Sequence, residues 1–284
     1  MPAEIIDGRK IAAELESSLR QRIESLGEKG VVPGLAVIIA GEDPASKIYV
    51  KKKEKACAGL GILSRKIELP AKTPEEEIIK EVKELNADEK IHGILVQLPL
   101  PNGINKRKVI ETVSPDKDVD GFTSPNLGKL VRGNEFLAPC TPCGVVKLIE
   151  STGTELQGKR ACIVGHGAVG MPLSIMLLNR NATLSICDKF TQFLGQETPQ
   201  AEVLVVAAGV PNLIKAEMVK PGAVVIDVGI NRVGGKLCGD VDFEAVKERA
   251  SFITPVPGGV GPMTVACLME NTVNAAEKAA GVKK

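Results

Sequence analysis

Tyr49 and Lys53 stand four residues apart in the Lys-rich stretch Pro44-Ala45-Ser46-Lys47-Ile48-Tyr49-Val50-Lys51-Lys52-Lys53-Glu54-Lys55-Ala56-Cys57. On a helix that spacing puts both side chains on one face. Ala45, Ala56 and Leu60 fall on the same side, while Lys51, Glu54 and Lys55 point the other way. A lysine drawn out of water has its pKa lowered and can exchange protons near neutrality. The competing reading is a solvated face whose lysine stems snorkel outward. Gln97 closes the apolar run Ile91–Leu98, just before Pro99-Leu100-Pro101. Parallel α/β sheets bind ligands at the carboxyl ends of their strands, and a primary amide there donates and accepts at once. Asp116, Asp118 and Asp120 alternate between Pro115 and Gly121. The alternation is too short for a calcium loop and lacks its distal Glu, so the competing reading is a turn of solvated acids.

A second group of residues suits an anion. Gly165-His166-Gly167-Ala168-Val169-Gly170 reads GxGxxG, follows the apolar run Arg160–Val164 and precedes Pro172 in the first turn of a helix. Such glycines let the backbone turn tightly and approach a pyrophosphate, and the helix N-terminus offers it unpaired N–H groups. Asp188 ends the next strand, where an acid bonds adenosine ribose hydroxyls and favours NAD. Lys189 beside it suits a 2′-phosphate and favours NADP, and His166 suits the same phosphate. Residues 255–264 (PVPGGVGPMT) carry three prolines and three glycines. That composition breaks regular structure and can bring bare backbone against a flat ligand. Cys140 and Cys143 form one CxxC pair; the chain has two histidines, His92 and His166, and no second pair. No metal site is expected there, and the two cysteines read as small residues beside a Thr-Pro turn.

The elements that must hold these groups alternate in type. Ile11, Leu15, Leu19, Ile23 and Leu26 mark a first amphipathic helix. Leu35–Ala40 reads as a buried strand, followed by the helix from Pro44, a short strand at Lys66–Leu69, a helix from Thr73 and the strand Ile91–Leu98. Thr73, Pro74 and Glu76 supply an expected N-cap, first-turn proline and capping-box acid. This β-α-β-α-β order predicts a parallel sheet covered by helices. Residues 99–140 are rich in Pro, Gly, Asp and Asn and mark the inter-domain boundary. A helix from Thr141 then leads into a second α/β series with strands at Arg160–Val164, Thr183–Cys187, Val203–Ala207, Ala223–Val228 and Phe252–Thr254. A last helix runs from about Met263 to Ala279.

Composition sets the outer limits. Lys plus Arg total 36 against 35 Asp plus Glu, a net charge of +1, which argues against nucleic acid or a membrane surface as partner. One tyrosine, six Phe and no Trp leave little for stacking on single-stranded bases. Seven scattered cysteines, no apolar leader and no run long enough to span a bilayer read as a cytoplasmic protein with reduced thiols.

Taken together, Pro44–Cys57, QLPLP at Gln97–Pro101, DKDVDG at Asp116–Gly121, CTPxG at Cys140–Gly144, DVGIN at Asp227–Asn231 and PVPGGVGPMT at Pro255–Thr264 resemble the bifunctional methylenetetrahydrofolate dehydrogenase/cyclohydrolase family, FolD. The motifs occur in family order over nearly the whole chain. The resemblance implies two α/β domains: a folate/catalytic domain with a parallel-rich sheet, residues 1–139 plus 264–284, and a Rossmann-like dinucleotide domain, residues 140–263. The last helix is implied to pack back on the first domain. It implies oxidation of 5,10-methylenetetrahydrofolate with NADP, hydrolysis of the 5,10-methenyl product to 10-formyltetrahydrofolate at one shared site, and a homodimer. Carried over by motif, Lys53 is the central catalytic group, Tyr49 stacks near the folate, Gln97 tunes Lys53 and Asp120 holds the pterin. Val96 and Leu98 flank Gln97 at the substrate, and Pro257, Gly258, Gly259, Val260 and Gly261 line the folate. Gly165, His166, Gly167, Val169, Gly170, Asp188, Lys189, Ile230 and Thr264 lie where the family meets its dinucleotide. The family's loop usually reads G-[RA]-S-x-x-V-G-x-P; His166 and Gly167 depart from it, and with Asp188 they leave NAD open beside NADP. The alternative reading is a monofunctional NAD-dependent methylenetetrahydrofolate dehydrogenase without the hydrolytic step.

Overall fold

The computed structural model describes residues 1–282; Lys283 and Lys284, the end of the expected 264–284 segment, lie outside the described residues. The chain opens with β1 (Glu4–Ile5) and α1 (Gly8–Gly27). The predicted alternation follows as β2 (Gly34–Ala40), α2 (Pro44–Leu60), β3 (Leu63–Leu69), α3 (Glu75–Ala87) and β4 (Gly93–Val96). Two short helices, α4 (Lys106–Thr112) and α5 (Ser124–Val131), occupy the Pro- and Gly-rich connection. The second series is α6 (Cys140–Ser151), β5 (Arg160–Val164), α7 (Gly170–Leu178), β6 (Thr183–Cys187), α8 (Leu194–Glu197), β7 (Val203–Val206) and β8 (Val224–Asp227). It ends with β9 (Asn231–Val233), β10 (Lys236–Cys238), α9 (Phe243–Val246), β11 (Phe252–Ile253) and α10 (Val260–Ala279).

The chain forms two compact units. One holds Glu14–Cys140 with the residues from Val265 onward; the other holds Met1–Ala13 with Thr141–Thr264. We call them the lysine unit and the glycine-turn unit. The lysine unit contains an all-parallel three-stranded sheet in the order β3-β2-β4, with Val37 opposite both Lys66 and Leu95. All seven residues of β2 are buried, which is why this strand reads as an unbroken apolar run. Ala36, Ile38, Ile94 and Val96 pack against Ile78, Val82 and Leu85 of α3 and Val109 of α4. Each of the Ile, Val and Leu side chains contributes about 1.5–3 kcal/mol by leaving water. The expected Thr73 cap does not form. Pro74 takes the cap position without a side-chain bond, and Glu75, Glu76 and Glu77 face the positive end of α3 instead.

The glycine-turn unit is built on a six-stranded sheet ordered β1-β11-β8-β7-β5-β6, parallel throughout. Chain order reverses between β5 and β7, the switch point at which doubly wound sheets open a ligand crevice. The first residues depart from the expected 1–139 grouping. Glu4 and Ile5 pair with Phe252 and Ile253, and the Ile6 N–H donates to Ile253 O at 2.9 Å, so β1 completes this sheet rather than the lysine unit. The β9–β10 hairpin was not predicted. Its turn uses Gly234 and Gly235 at φ 55° and 81°, both left-handed, as a tight two-residue hairpin turn requires.

Candidate active site

Lys53 owes its environment to the pitch of α2. Asp43 caps this helix by accepting the Ser46 N–H at 2.7 Å, and Pro44 fills the first turn. The buried residues then recur as Ser46, Val50, Lys53, Cys57 and Leu60, one stripe on one face. Ala45 is exposed, so the apolar side is narrower than the helical wheel implies. Lys53 is 8% exposed, and Tyr49, one turn earlier, is half-buried. The Lys53 ammonium donates to Gln97 Oε1 at 2.7 Å.

Gln97 is held for that contact. It follows β4 directly, and its N–H extends the ladder to Ile38 O at 2.8 Å. Its Nε2 donates to Leu98 O at 2.7 Å, and the Ser46 hydroxyl donates to the same carbonyl at 3.2 Å. With Nε2 committed, Oε1 is the end of the amide left to face Lys53. Val96 packs into the core cluster, so its side chain faces α3 rather than Lys53. Leu98 is exposed.

The three aspartates have three fates. Asp116 is exposed and pairs with Lys278 at 2.7 Å. Asp118 is buried and accepts from the N–H groups of Gly121 (2.9 Å), Phe122 (3.3 Å) and Thr123 (2.8 Å) and from Asn126 Nδ2 (3.1 Å). It is the staple of its own turn. That turn lies beside β4, where the Ile94 N–H donates to Lys117 O at 2.7 Å. Asp120 is the acid left for chemistry. Burial pushes its carboxyl up to about 6, with Lys53 opposing and Asp118 adding to the rise. Burial lowers the Lys53 ammonium, with the charges of Asp120 and Cys140 opposing. The pair therefore holds an amine that gives up its proton more readily than a free lysine, beside an acid that keeps its own longer.

Two residues at this site were missed. Cys140 is the first residue of α6, donates to Val119 O at 3.2 Å and bonds the Asp120 carboxyl; it is a buried part of the site, not a spacer beside a turn. Asn271 of α10 is buried and donates to Val119 O and Ala138 O, both at 2.9 Å, fastening the segment that carries Asp120. A polar residue inside an apolar helix stripe was the available signal for Asn271.

The glycine turn sits at the end of β5. Gly165 has φ 108°, and its N–H donates to Cys187 O at 2.7 Å. A Cβ at Gly165 would collide with the Ala207 carbonyl, and one at Gly170 with the Gly165 carbonyl. Gly167 faces open space, with no heavy atom near enough to touch a Cβ. Two glycines thus fold the turn and the middle one leaves room for a ligand, which fits the pyrophosphate of a dinucleotide ahead of α7. Val169 is the residue before α7. His166 Nδ1 lies 3.3 Å from Asp188 Oδ2, and the Lys189 ammonium lies over the Phe190 ring at 4.9 Å.

Other candidates follow the carboxyl ends of neighbouring strands. Ile230, 51% exposed, follows β8 on a loop fixed by two buried acids. Asp227 accepts the N–H groups of Gly229, Asp240 and Val241 at 2.9–3.0 Å. Asp240 accepts those of Ala208 and Gly209 at 2.7 and 2.8 Å, and Asn231 Nδ2 at 2.7 Å. Burial pushes Asp227 up to about 6 against those backbone donors. Pro257, Gly258 and Gly259 form an irregular loop after β11, and the last helix begins at Val260 rather than Met263. Val260 and Gly261 are therefore helical, with Pro262 tolerated in the first turn. A Cβ at Gly259 would press on Thr254, and one at Gly8 on the Gly259 carbonyl. Thr264 Oγ1 is 3.1 Å from Thr141 Oγ1. Tyr49, Lys53, Val96, Gln97, Leu98 and Asp120 thus belong to the lysine unit, and residues 165–170, 188–189, 230, 257–261 and 264 to the glycine-turn unit.

The family model for the tetrahydrofolate dehydrogenase/cyclohydrolase catalytic domain matches residues 6–120, and that for the NAD(P)-binding domain matches residues 139–280. The bifunctional protein FolD of Moorella thermoacetica is 52% identical over 280 residues, covering 98% of this chain and 100% of the relative. That of Nitrosospira multiformis is 53% identical, covering 98% of each. The crystal structure of the Campylobacter jejuni methylenetetrahydrofolate dehydrogenase/cyclohydrolase superposes with a TM-score of 0.95 at 46% identity, over 97% of this chain and 99% of the other. The Trypanosoma brucei enzyme, complexed with NADP and an inhibitor, superposes with a TM-score of 0.94 at 38% identity over 98% of each chain.

Proposed function

This chain belongs to the tetrahydrofolate dehydrogenase/cyclohydrolase family, and from that premise we propose what its residues do. The chain is a bifunctional enzyme. It oxidises 5,10-methylenetetrahydrofolate to 5,10-methenyltetrahydrofolate with NADP and hydrolyses that product to 10-formyltetrahydrofolate. Both family domains are present, and relatives at 52% and 53% identity are bifunctional, which favours this reading over a monofunctional NAD-dependent dehydrogenase.

The observation that carries the residue assignment is the buried Lys53 amine, 2.7 Å from Gln97 Oε1. NADP held at the glycine turn would supply the hydride acceptor for oxidation of the folate's methylene carbon. Hydrolysis falls to Lys53. Water adds to the methenyl carbon, forming a C–O bond, and its proton passes to the neutral amine. The bond from that carbon to N5 then breaks, N5 takes up a proton, and the formyl group stays on N10 with one proton released overall. Gln97 supports this by accepting from the amine, which leaves the nitrogen lone pair for the water. Asp120 holds the pterin, which needs a carboxyl fixed in place, and Tyr49 packs beside the folate. Leu98, the Val96 backbone and Pro257–Gly261 line the substrate. Gly165, Gly167, Val169 and Gly170 hold the pyrophosphate, and His166, Asp188, Lys189, Ile230 and Thr264 meet the rest of the dinucleotide.

The test is a set of initial rates with methylenetetrahydrofolate, with NADP⁺ and NAD⁺ in parallel, following reduced cofactor and methenyl product separately. In Lys53→Met, hydrolysis should fall by about 10²-fold or more while part of the oxidation survives. Wild-type hydrolysis by that variant would remove Lys53 from its role. Asp120→Ala should lose both activities through weakened folate binding; unchanged folate affinity would refute the Asp120 assignment. We also propose a homodimer acting in the cytoplasm, a reading the family resemblance supports and light scattering on the purified chain tests for the assembly. Among the described residues no helix is long and apolar enough to cross a membrane.

A further inference from the structure

Asp188 stands where the second strand of the dinucleotide fold ends, and its two carboxylate oxygens are used differently. Oδ1 accepts the Phe190 N–H at 2.8 Å, while the Asp188 N–H donates to Thr191 Oγ1 at 2.8 Å. These bonds close a tight turn and fix the carboxylate. Oδ2 turns back over the glycine loop and lies 3.3 Å from His166 Nδ1. The Asp188 side chain keeps only 26% of its exposure, against 56% for His166. Lys189 is drawn onto its neighbour Phe190. Phe190 and Phe193 stand 77% and 71% exposed beside this turn, a flat apolar surface next to the polar pair.

The chemistry of the two dinucleotides differs at one position, the adenosine 2′-oxygen. NAD carries a hydroxyl there, which a carboxylate can accept. NADP carries a phosphate, which a carboxylate repels and a protonated imidazole or an ammonium attracts. A fixed Asp188 oxygen beside His166 therefore offers both dinucleotides a partner at one spot.

We propose that the Asp188–His166 pair reads the adenosine 2′-position and makes this chain a dual user of dinucleotides, binding NAD through Asp188 and NADP through His166. The proposal rests on the dehydrogenase reading above but is tested by binding alone. NADH and NADPH fluorescence titrations on the full chain give two dissociation constants whose ratio is the readout. In the wild type the two should lie within about thirtyfold of each other, because neither ligand meets a site built solely for it. Asp188→Asn keeps an acceptor for the Phe190 N–H, so the turn persists while the charge is lost. It should shift the ratio toward NADPH by about tenfold or more, and His166→Ala should shift it the other way by a smaller factor. A wild-type ratio wider than about thirtyfold, or a ratio moved less than about twofold by Asp188→Asn, overturns the proposal. Tight binding of both dinucleotides without turnover of methylenetetrahydrofolate would sink the dehydrogenase reading instead and leave the ratio to speak for the pair.

Discussion

The surroundings of Lys53 and the turn at Gly165 solve opposite problems. Around Lys53, Gln97 and Asp120 the side-chain atoms matter: burial and mutual charge set the ionisation of Lys53 and Asp120, and Gln97 accepts from the amine. The glycine turn works through the absence of side chains: two positions where a Cβ has no room and one where room is kept for a ligand. A site of the first kind is tuned, and a change of one atom alters its chemistry while the backbone stays put. A site of the second kind is shaped, and one added carbon deforms the backbone while no charge changes.

The largest expected effect tests the shaped region. Gly165→Ala must relieve a clash with the Ala207 carbonyl from a left-handed φ of 108°, so dinucleotide affinity should fall by about a hundredfold, with a stability cost of about 1–3 kcal/mol. Gly167→Ala meets no protein atom and should leave melting temperature unchanged while weakening the dinucleotide alone. Equal losses of stability from both would erase the distinction between folding glycine and ligand glycine. Calorimetric titration and thermal melts read both quantities.

A middle-sized effect tests the tuned region. If the neutral Lys53 amine is the base, as proposed, hydrolysis should rise with pH through its depressed pKa. Gln97→Glu puts a carboxylate against the amine, favours its charged form and should move that rise upward by about one pH unit. A profile that stays in place would show that Lys53 is not the group titrating.

The smallest effect concerns stability. Asp120 has its pKa raised to about 6, so its ionised form is disfavoured in the folded state. A raised carboxylate costs nothing below its unfolded pKa; the cost grows as pH climbs through the window from about 4 to 6 and then levels off. Asp120→Asn should therefore match the wild type in urea melts near pH 4 and exceed it by about 1–2 kcal/mol at pH 7, after allowance for screening at this partly exposed group. A constant difference across that range would mean the burial of Asp120 carries no electrostatic cost.

Short-range regularities explain what was legible. The Tyr49/Lys53 face follows from helical pitch, the place of Gln97 from the end of an apolar strand, and the glycine turn from a local strand-turn-helix order. What was hidden depends on partners far along the chain. Asp118 and Asp120 look alike in sequence, and only the packing beside β4 makes one a staple and leaves the other buried beside Lys53. Cys140 gains meaning from Asp120, and Asn271 from carbonyls at 119 and 138. The pairing of Glu4–Ile5 with Phe252–Ile253 spans almost the whole chain, and two residues carry too little periodicity to declare a strand.

That last pairing has a consequence for how the protein is made. Neither compact unit is one continuous stretch: one waits for β11 to receive β1, and the other waits for the part of α10 beyond Thr264. During translation β1 has no strand to pair with, and the unit holding Glu14–Cys140 lacks its last helical segment, until nearly all the described residues have left the ribosome. Nascent chains halted near residue 250 should therefore be far more sensitive to protease, and more dependent on chaperones, than two independently folding halves would be.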